Sequence, residues 1–425
     1  MAYRNTLLQN NIYVDSIHGN DASAVKYNVL HPYRTVTAAM AVAILGDTII
    51  VNPGSYIENN LYKDGITYYM YPGVNLNCYF GYNNNSGEKC AVYGHADITR
   101  FSDVILPGAG ELILECNSIT QTGLNTVVAA GSANPTSRLD LICNSITSSA
   151  HVFRMYPGGS VATVNATVHG DINAVTSFIH TGFGGNTDAI VNIKATRMIS
   201  SGANQLKLIF GESGTDAVQI TANEIIVNGG AGANVYAAAI LFQCRTVSTA
   251  VVKIDADIVI NATNTRAFLS NGSGANAVFE HTGDIYSEDA AITFIQDGTT
   301  SLLATYKFNG AISGINSVLG VGYEGVVVTN VNAGDPLNLY LDGSITNRVE
   351  VGNGIKQSGS IVPTHIIGDL KIITTVGFAM ASDLADTYKV VHSLARVDPN
   401  DANFGGAPGA NVITGSVDYQ DLLVQ

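Results

Sequence analysis

Tryptophan is absent from this 425-residue chain and charge is sparse, with Asp, Glu, Lys and Arg together making 13% of it. Only 20 Lys and Arg stand against 34 Asp and Glu, a formal net charge of −14, and they form no cluster. That excludes an extended nucleic-acid surface, because neutralising a phosphate backbone takes grouped cations. No apolar run approaches the ~18 residues of a membrane-spanning helix, so no membrane insertion is expected. The opening "MAYRNTLLQNNIYVD" lacks the charged, apolar and small-residue order of a signal peptide. Five cysteines, Cys78, Cys90, Cys116, Cys143 and Cys244, are an odd number in a long chain and do not make a dense disulfide framework. Cys78 and Cys90 are left open as a pair or as mere neighbours. No Cys/His spacing matches a zinc site, so neither a metal nor a cofactor is expected.

What the chain has instead is 44 glycines, many Ser, Thr and Asn, and short apolar runs between them. This is an all-β composition. A segment recurs along it: "CNSIT" at 116–120 and again at 143–147, "HGDIN" at 169–173, "ANEII" at 222–226, "TGDIY" at 282–286, "NGAIS" at 309–313 and "DGSIT" at 342–346. Aligned on the apolar residue, the positions are Ile119, Ile146, Ile172, Ile199, Ile225, Ile258, Ile285, Ile312, Ile345 and Leu370. Eight of the ten residues two places earlier are Asn or Gly, as in Asn117, Asn144, Gly170 and Asn223. Those types tolerate left-handed backbone, so the column predicts a tight corner once per repeat. A period near 27 residues holds three short strands and their corners, one turn of a parallel β-solenoid.

Near the start, "HPYRTVTAAMAVAILGDTIIVNPGSY" (31–56) changes rhythm. Thr37 to Leu45 reads as a short helix, and Thr48 to Val51 as a β-branched strand ended by Pro53-Gly54. A solenoid end leaves backbone groups unpaired, and a small helix laid across the first coil covers them.

With "IYVDSIHGND" (12–21), this segment resembles the N-terminal part of parallel β-helix proteins of the pectin-lyase-like superfamily. The resemblance rests on Tyr13-Val14, Gly19-Asn20-Asp21, Pro32-Tyr33-Arg34-Thr35, Gly46-Asp47, Ile49, Val51, Pro53-Gly54 and Tyr56. It implies an all-β, right-handed, single-stranded parallel β-helix with a short N-terminal capping helix. The parts are then 1–56 (strand, helix and first coil), 57–375 (β-helix) and 376–425 (C-terminal cap or arm); by the logic of the first helix, "ASDLADTYKVVHSLA" (381–395) reads as a short helix closing the far end.

The superfamily spans lyases, hydrolases, adhesins and spikes or fibres of bacterial viruses, so the fold does not carry an activity. Lack of a signal peptide points to the viral branch: a structural or adhesive virion protein, a tail spike, fibre or capsid decoration at the virion surface. The resemblance implies a homotrimer that contacts other virion proteins and host cell-surface polysaccharide. The alternative is a polysaccharide-degrading enzyme, hydrolase or lyase, working from one face.

Sugar hydrolysis needs two carboxylates. The residue before each aligned apolar position gives a partial acidic column, Asp171, Met198, Glu224, Asp257, Asp284 and Asp369, in which Glu224, Asp257 and Asp284 are the candidate catalytic set. The competing reading is a solvated edge that opposes aggregation. Lyase chemistry asks for a Lys or Arg base, but Arg154, Lys194 and Arg197 are scattered. His281 with Glu280 and Asp284 is a second cluster, read as a hydrogen-bonded histidine between apolar strand residues. Cys116 and Cys143 are expected to stack as small core or turn-lining residues. Tyr68, Tyr69, Tyr71, Tyr79 and Tyr82 crowd "GITYYMYPGVNLNCYFGYNNN" (65–85) and are the candidate binding residues, for glycan stacking or a protein interface.

Overall fold

The computed structural model describes residues 10–81, 89–100, 104–106, 110–130, 137–155, 161–181, 188–202, 206–210, 215–229, 238–244, 249–262, 265–273, 277–287, 292–295 and 305–314, and beyond these the strand segments 326–329, 337–347, 355–358, 364–367, 370–374, 380–382, 388–391 and 418–420. Among them is one α-helix, α1 (Val36–Val42); the regular structure is otherwise strand. The sheet is built from parallel pairings, an arrangement compatible with a parallel β-helix. Two compact units divide the chain: 1–178 with 185–196, and 179–184 with 197–425.

In the first unit three sets of strands stack. One runs Asn11–Val14, Thr48–Val51, Thr67–Met70, Lys89–Gly94, Gly110–Glu115, Ser137–Cys143, Val161–Val168 and Asp188–Lys194. A second runs from Gly54–Asn60 through Val74–Gly81, Asp97–Arg100, Ser118–Gln121 and Ser145–Ser148 to Asp171–Ala174. The third holds Ile105–Leu106, Thr126–Ala130 and His151–Met155. Tyr56, Leu76, Ile98, Ile119, Ile146 and Ile172 fall in register, all buried, so the predicted apolar column continues upstream of Ile119.

The second unit repeats the plan. Thr249–Ile260 passes straight from the first set to the second, burying Ala250, Val252, Ile254, Ala256, Ile258 and Ile260 while the residues between them face outward. Its period of two is the direct signature of a strand with one face in the core. Inside, Phe242, Phe268, Phe279, Tyr306 and Phe308 pack with ring centroids 4.4 to 6.1 Å apart.

Register corrects the sequence alignment twice. Met198, not Ile199, lies opposite Ile225, and Ile372, not Leu370, lies opposite Ile345. Both shifts restore a step of 27 (225 − 198 and 372 − 345). Matching by residue type favours isoleucine, but burial decides: Met198 is fully buried and Ile199 is half-exposed. The corners meet expectation at Gly283 and Gly310, with φ of 127° and 141°, and depart from it at the asparagines. Tyr27 is the one non-glycine with positive φ among the described residues, so Asn117, Asn144 and Asn223 are not left-handed. Asparagine is there for its amide: Asn144 Nδ2 donates to Asn117 Oδ1 (2.9 Å) and Asn117 Nδ2 to Asp97 Oδ1 (2.7 Å). Glycine is there for close approach. A Cβ on Gly310 (φ 141°) would stand 2.0 Å from the Gly283 carbonyl oxygen of the coil beside it. The helix expected over 381–395 is also absent from its described parts: Met380–Ser382 and Tyr388–Val391 are strands, the latter paired with Thr364–Ile367. Tyr388, Val390 and Val391 suit a strand, and the neighbouring coil offers a ladder that outweighs the helix propensity of "SDLAD".

At the start, the outer edge of Asn11–Val14 is met by backbone: Tyr33 N donates to Tyr13 O and Asp15 N to Tyr33 O, both 2.8 Å. Helix α1 follows, shorter than expected, and is tied at both ends by side chains from the next coil. Thr35 is its N-cap, its Oγ1 accepting from Ala38 N. Glu58, buried, accepts from Val36 N (2.7 Å), Thr37 N (3.1 Å) and Thr37 Oγ1. Lys63 Nζ donates to the carbonyls of Met40 and Ala43 (2.6 and 2.7 Å). Negative charge at the N-terminus and positive at the C-terminus both match the helix dipole. The chain stops being helical at Ala43, its C-cap, and the turn that follows is fixed by Asp47, which accepts from Ile44 N.

Two stability outcomes follow from these contacts. Glu58→Ala leaves one buried and one part-buried helix amide without an acceptor and should cost about 2–3 kcal/mol in denaturant unfolding. Gly310→Ala forces backbone apart at a corner and should cost about 2 kcal/mol or more in the same measurement.

Candidate functional site

The acidic column lies in the second set of strands, where the polar residue directly before each buried apolar one points outward. In the second unit Arg197 is opposite Glu224, and Glu224 is opposite Asp257. Asp284 follows on the next coil, its own amide donating to Asp257 Oδ1 (2.8 Å), and Asp284 Oδ1 accepts in turn from Ala311 N (2.8 Å). Asp257 and Asp284 are exposed, and Glu224 is half-exposed. The three candidate catalytic carboxylates thus share one column at coil spacing, as the sequence predicts. Two of them are also engaged as acceptors for the backbone of the adjacent coil, a bond that orients each carboxylate along the stack. Register removes Met198 from the column and puts Arg197 there, a cation beside Glu224. Asp171 occupies the equivalent place in the first unit, directly before Ile172, which lies opposite Ile146. Asp369 lies outside the described residues; on that coil Lys371 stands opposite Ser344.

Glu280 and His281 are neighbours in sequence but point to opposite faces. Glu280 sits outside between Lys253 (3.0 Å) and Lys307 (3.7 Å), and its bond to Lys253 holds its carboxyl below the usual range. His281 is buried; its Nε2 bonds to Ala256 O (2.9 Å) and its Nδ1 has no hydrogen-bond partner. Since a carbonyl can only accept, the proton is on Nε2. Burial lowers the imidazole pKa to about 4, against the weaker upward pull of the Ala256 bond and of Asp257, Asp255 and Asp284. No cluster with Glu280 and Asp284 forms.

A residue that pattern reading passed over is Asp216, buried, which accepts from Thr181 Oγ1 (2.6 Å). The signal was present, because Asp216 shares inward parity with Val218 and Ile220.

The tyrosines separate by parity. Tyr68 is fully buried, its hydroxyl has no partner, and burial pushes its pKa well up. Tyr69 and Tyr71 face outward, 45% and 43% exposed, with ring centroids 5.5 Å apart at 81°. Tyr69 lies in an outward column with Ile50 and Tyr93 on the coils to either side. Tyr79 carries the Arg100 guanidinium over its ring at 4.4 Å. Tyr82 lies outside the described residues. The structure therefore assembles a small aromatic surface from Tyr69 and Tyr71 and leaves Tyr68 in the core.

Cys78, Cys90, Cys116 and Cys143 are buried free thiols. Cys116 is hydrogen-bonded to Cys143, and that contact and burial push its thiol up; burial pushes Cys90 up to about 12 and raises Cys78 further. Such thiols are poor nucleophiles. Arg154 and Lys194 stand on different strand sets, His151–Met155 and Asp188–Lys194. Among the described residues no three His, Cys, Asp or Glu side chains converge on a metal position, and no helix is long and apolar enough to cross a membrane.

His281 makes stability depend on acid. The unfolded chain takes up a proton near pH 6.5 that the folded chain refuses until about pH 4. Stability is therefore complete above the upper value and falls through this window as pH drops, by up to roughly 1.4 kcal/mol per unit. Urea titrations across that range should show the loss in the parent and not in His281→Phe. Compared with known proteins, the chain matches no family model, no curated protein and no solved structure.

Proposed function

We propose that this chain is a structural and adhesive protein of the right-handed, pectin-lyase-like β-helix kind, carried on the surface of a bacterial virus as a tail spike, fibre or capsid decoration. In this reading it assembles as a homotrimer, contacts other virion proteins and rests against host surface polysaccharide through Tyr69 and Tyr71. The observation that carries it is the use made of the polar residues. Asp257 and Asp284 accept amides from the next coil, Asn144 bonds Asn117, and Glu280 bridges Lys253 and Lys307. These contacts serve coil-to-coil adhesion, which is what a mechanically durable attachment protein requires. Two outward rings set edge to face give a sugar an apolar surface to stack on. The resemblance of the N-terminal segment supports the β-helix kind, a superfamily that includes spikes and fibres of bacterial viruses.

The enzyme alternative keeps one favourable observation, Glu224 and Asp257 in register with Arg197 beside them. Purified capsule or lipopolysaccharide of the host separates the readings. Retention without chain cleavage is expected, and Tyr69→Ala with Tyr71→Ala should weaken it about tenfold, or roughly 1.4 kcal/mol. Depolymerisation that disappears in Glu224→Gln and Asp257→Asn would instead make this a glycan-cleaving enzyme. Antibodies to the chain should decorate intact virus particles; particles left bare would remove the virion assignment.

A further inference from the structure

We propose that the N-terminal cap is a self-association surface at which two copies of this chain meet cap to cap. Ile17, Val25, Val29, Leu30, Ile44 and Leu45 are between 49% and 81% exposed, although each belongs to a well-bonded segment. Single exposed aliphatics are ordinary on a protein surface; a gathered group of them is not. Asp47 gathers these. Its carboxylate, itself buried, accepts from Tyr27 Oη and from Ile44 N, both 2.8 Å, and pairs with Lys26 Nζ at 2.8 Å. That pins the loop bearing Val25, Val29 and Leu30 against the turn bearing Ile44 and Leu45. The loop is closed on itself by Val25 N to His31 O and His31 N to Asn28 O, and Asn20 N to Pro32 O ties in the turn that carries Ile17.

Charge permits a second copy as the occupant, and self-complementarity and area favour it. A chain of net charge −14 resists meeting itself wherever its carboxylates stand free. In the cap they are engaged: Asp15 with the amides of Ile17 and His18, Asp21 with those of Arg34 and Thr35, Asp47 with Lys26, and Glu58 with the helix N-terminus. Each carboxylate keeps its charge, but that charge is compensated within its own cap by amide donors, the helix N-terminus or Lys26, which lowers the repulsion between two caps. An aliphatic patch is also complementary to itself, which a two-fold contact requires. The six side chains sum to about four fully exposed ones, near 400 Å² of apolar area per copy at ~100 Å² each. A homodimer contact of ~800 Å² per partner, about 65% apolar, needs about 500 Å², so the patch is of the right order. An anionic membrane would call for several clustered cations, and among the described residues of the cap Lys26 is paired with Asp47 and Lys63 is bonded to the helix carbonyls, leaving Arg34.

Sedimentation equilibrium of the full chain over the micromolar range reads the proposal directly. The parent should weigh twice as much as Leu30→Asp and Ile44→Glu, whatever lateral assembly accompanies it, so this outcome is independent of glycan binding or of a trimer. Leu124→Asp, equally exposed but away from the cap, should keep the parent mass. Melting temperature and circular dichroism certify that each variant is folded. Equal masses for the parent and both cap variants would overturn the proposal, as would a loss of mass in Leu124→Asp. Flotation of the parent with phosphatidylglycerol vesicles, abolished by Leu30→Asp without any change of mass, would overturn it in favour of a lipid surface.

Discussion

Among the described residues, strands away from the ends find their backbone partners on the coils before and after them, and that single requirement sets most of the rest. A parallel ladder puts residue over residue, so whatever stands at one position must tolerate a similar neighbour about 4.8 Å away. Isoleucine over isoleucine is easy, as in Ile119, Ile146 and Ile172. Polar positions need an answer in kind. Asparagine solves it by donating with Nδ2 and accepting with Oδ1, which is how Asp140, Asn165 and Asn192 link three coils. Charge solves it by alternation, as in Lys253, Glu280 and Lys307. Where a carbonyl comes too near for any Cβ, glycine is what fits, as at Gly283 and Gly310.

The same requirement explains what was legible in the sequence. A period near 27 appears because stacked positions select similar residues, and it places Asn117 beside Asn144 with no other information. It fails where similarity misleads: Ile199 looks like the column residue, but Met198 fills the interior. The short helix is visible through its local signals, Thr35 and the run that follows. The ties that hold it are not, because Glu58 and Lys63 reach it from more than twenty residues away. For 381–395 local propensity suggests a helix, while the partner that makes Tyr388–Val391 a strand, Thr364–Ile367, is again supplied by another coil. Nor does the pattern distinguish an asparagine kept for its backbone from one kept for its side chain; the hydrogen-bond geometry does.

The beginning of the chain shows how the ladder can end. The edge of Asn11–Val14 is closed first by the backbone of Tyr33, and only then does the helix cover it. Building this closure uses nearly every carboxylate in the segment as an amide acceptor. Asp47 is the tightest case: burial alone pushes its carboxyl up, but Lys26, the Ile44 amide and Tyr27 together hold it below the usual range. The remaining side chains, turned away from the coils beneath, include the aliphatic group around Leu30 and Ile44. A cap therefore exchanges one kind of exposed valence, unpaired backbone, for another, apolar surface, and the second is the less aggregation-prone because it has no strand template.

The acidic column shows how repetition sets carboxylates at a spacing that a catalytic pair also uses. A solenoid sets like residues at fixed spacing, so paired carboxylates at coil distance arise wherever a corner favours Asp. What separates a reacting carboxylate from a structural one is where its lone pairs go. Asp257 Oδ1 faces the amide of Asp284, and Asp284 Oδ1 faces that of Ala311, each at 2.8 Å along the stack. A general acid or nucleophile must instead present an oxygen across the stack toward a bound sugar, with enough enclosure to exclude water. These two aspartates are exposed, and one oxygen of each is engaged along the stack. The spacing that sets them side by side is also the spacing that lets Oδ1 of each reach the backbone of the next coil.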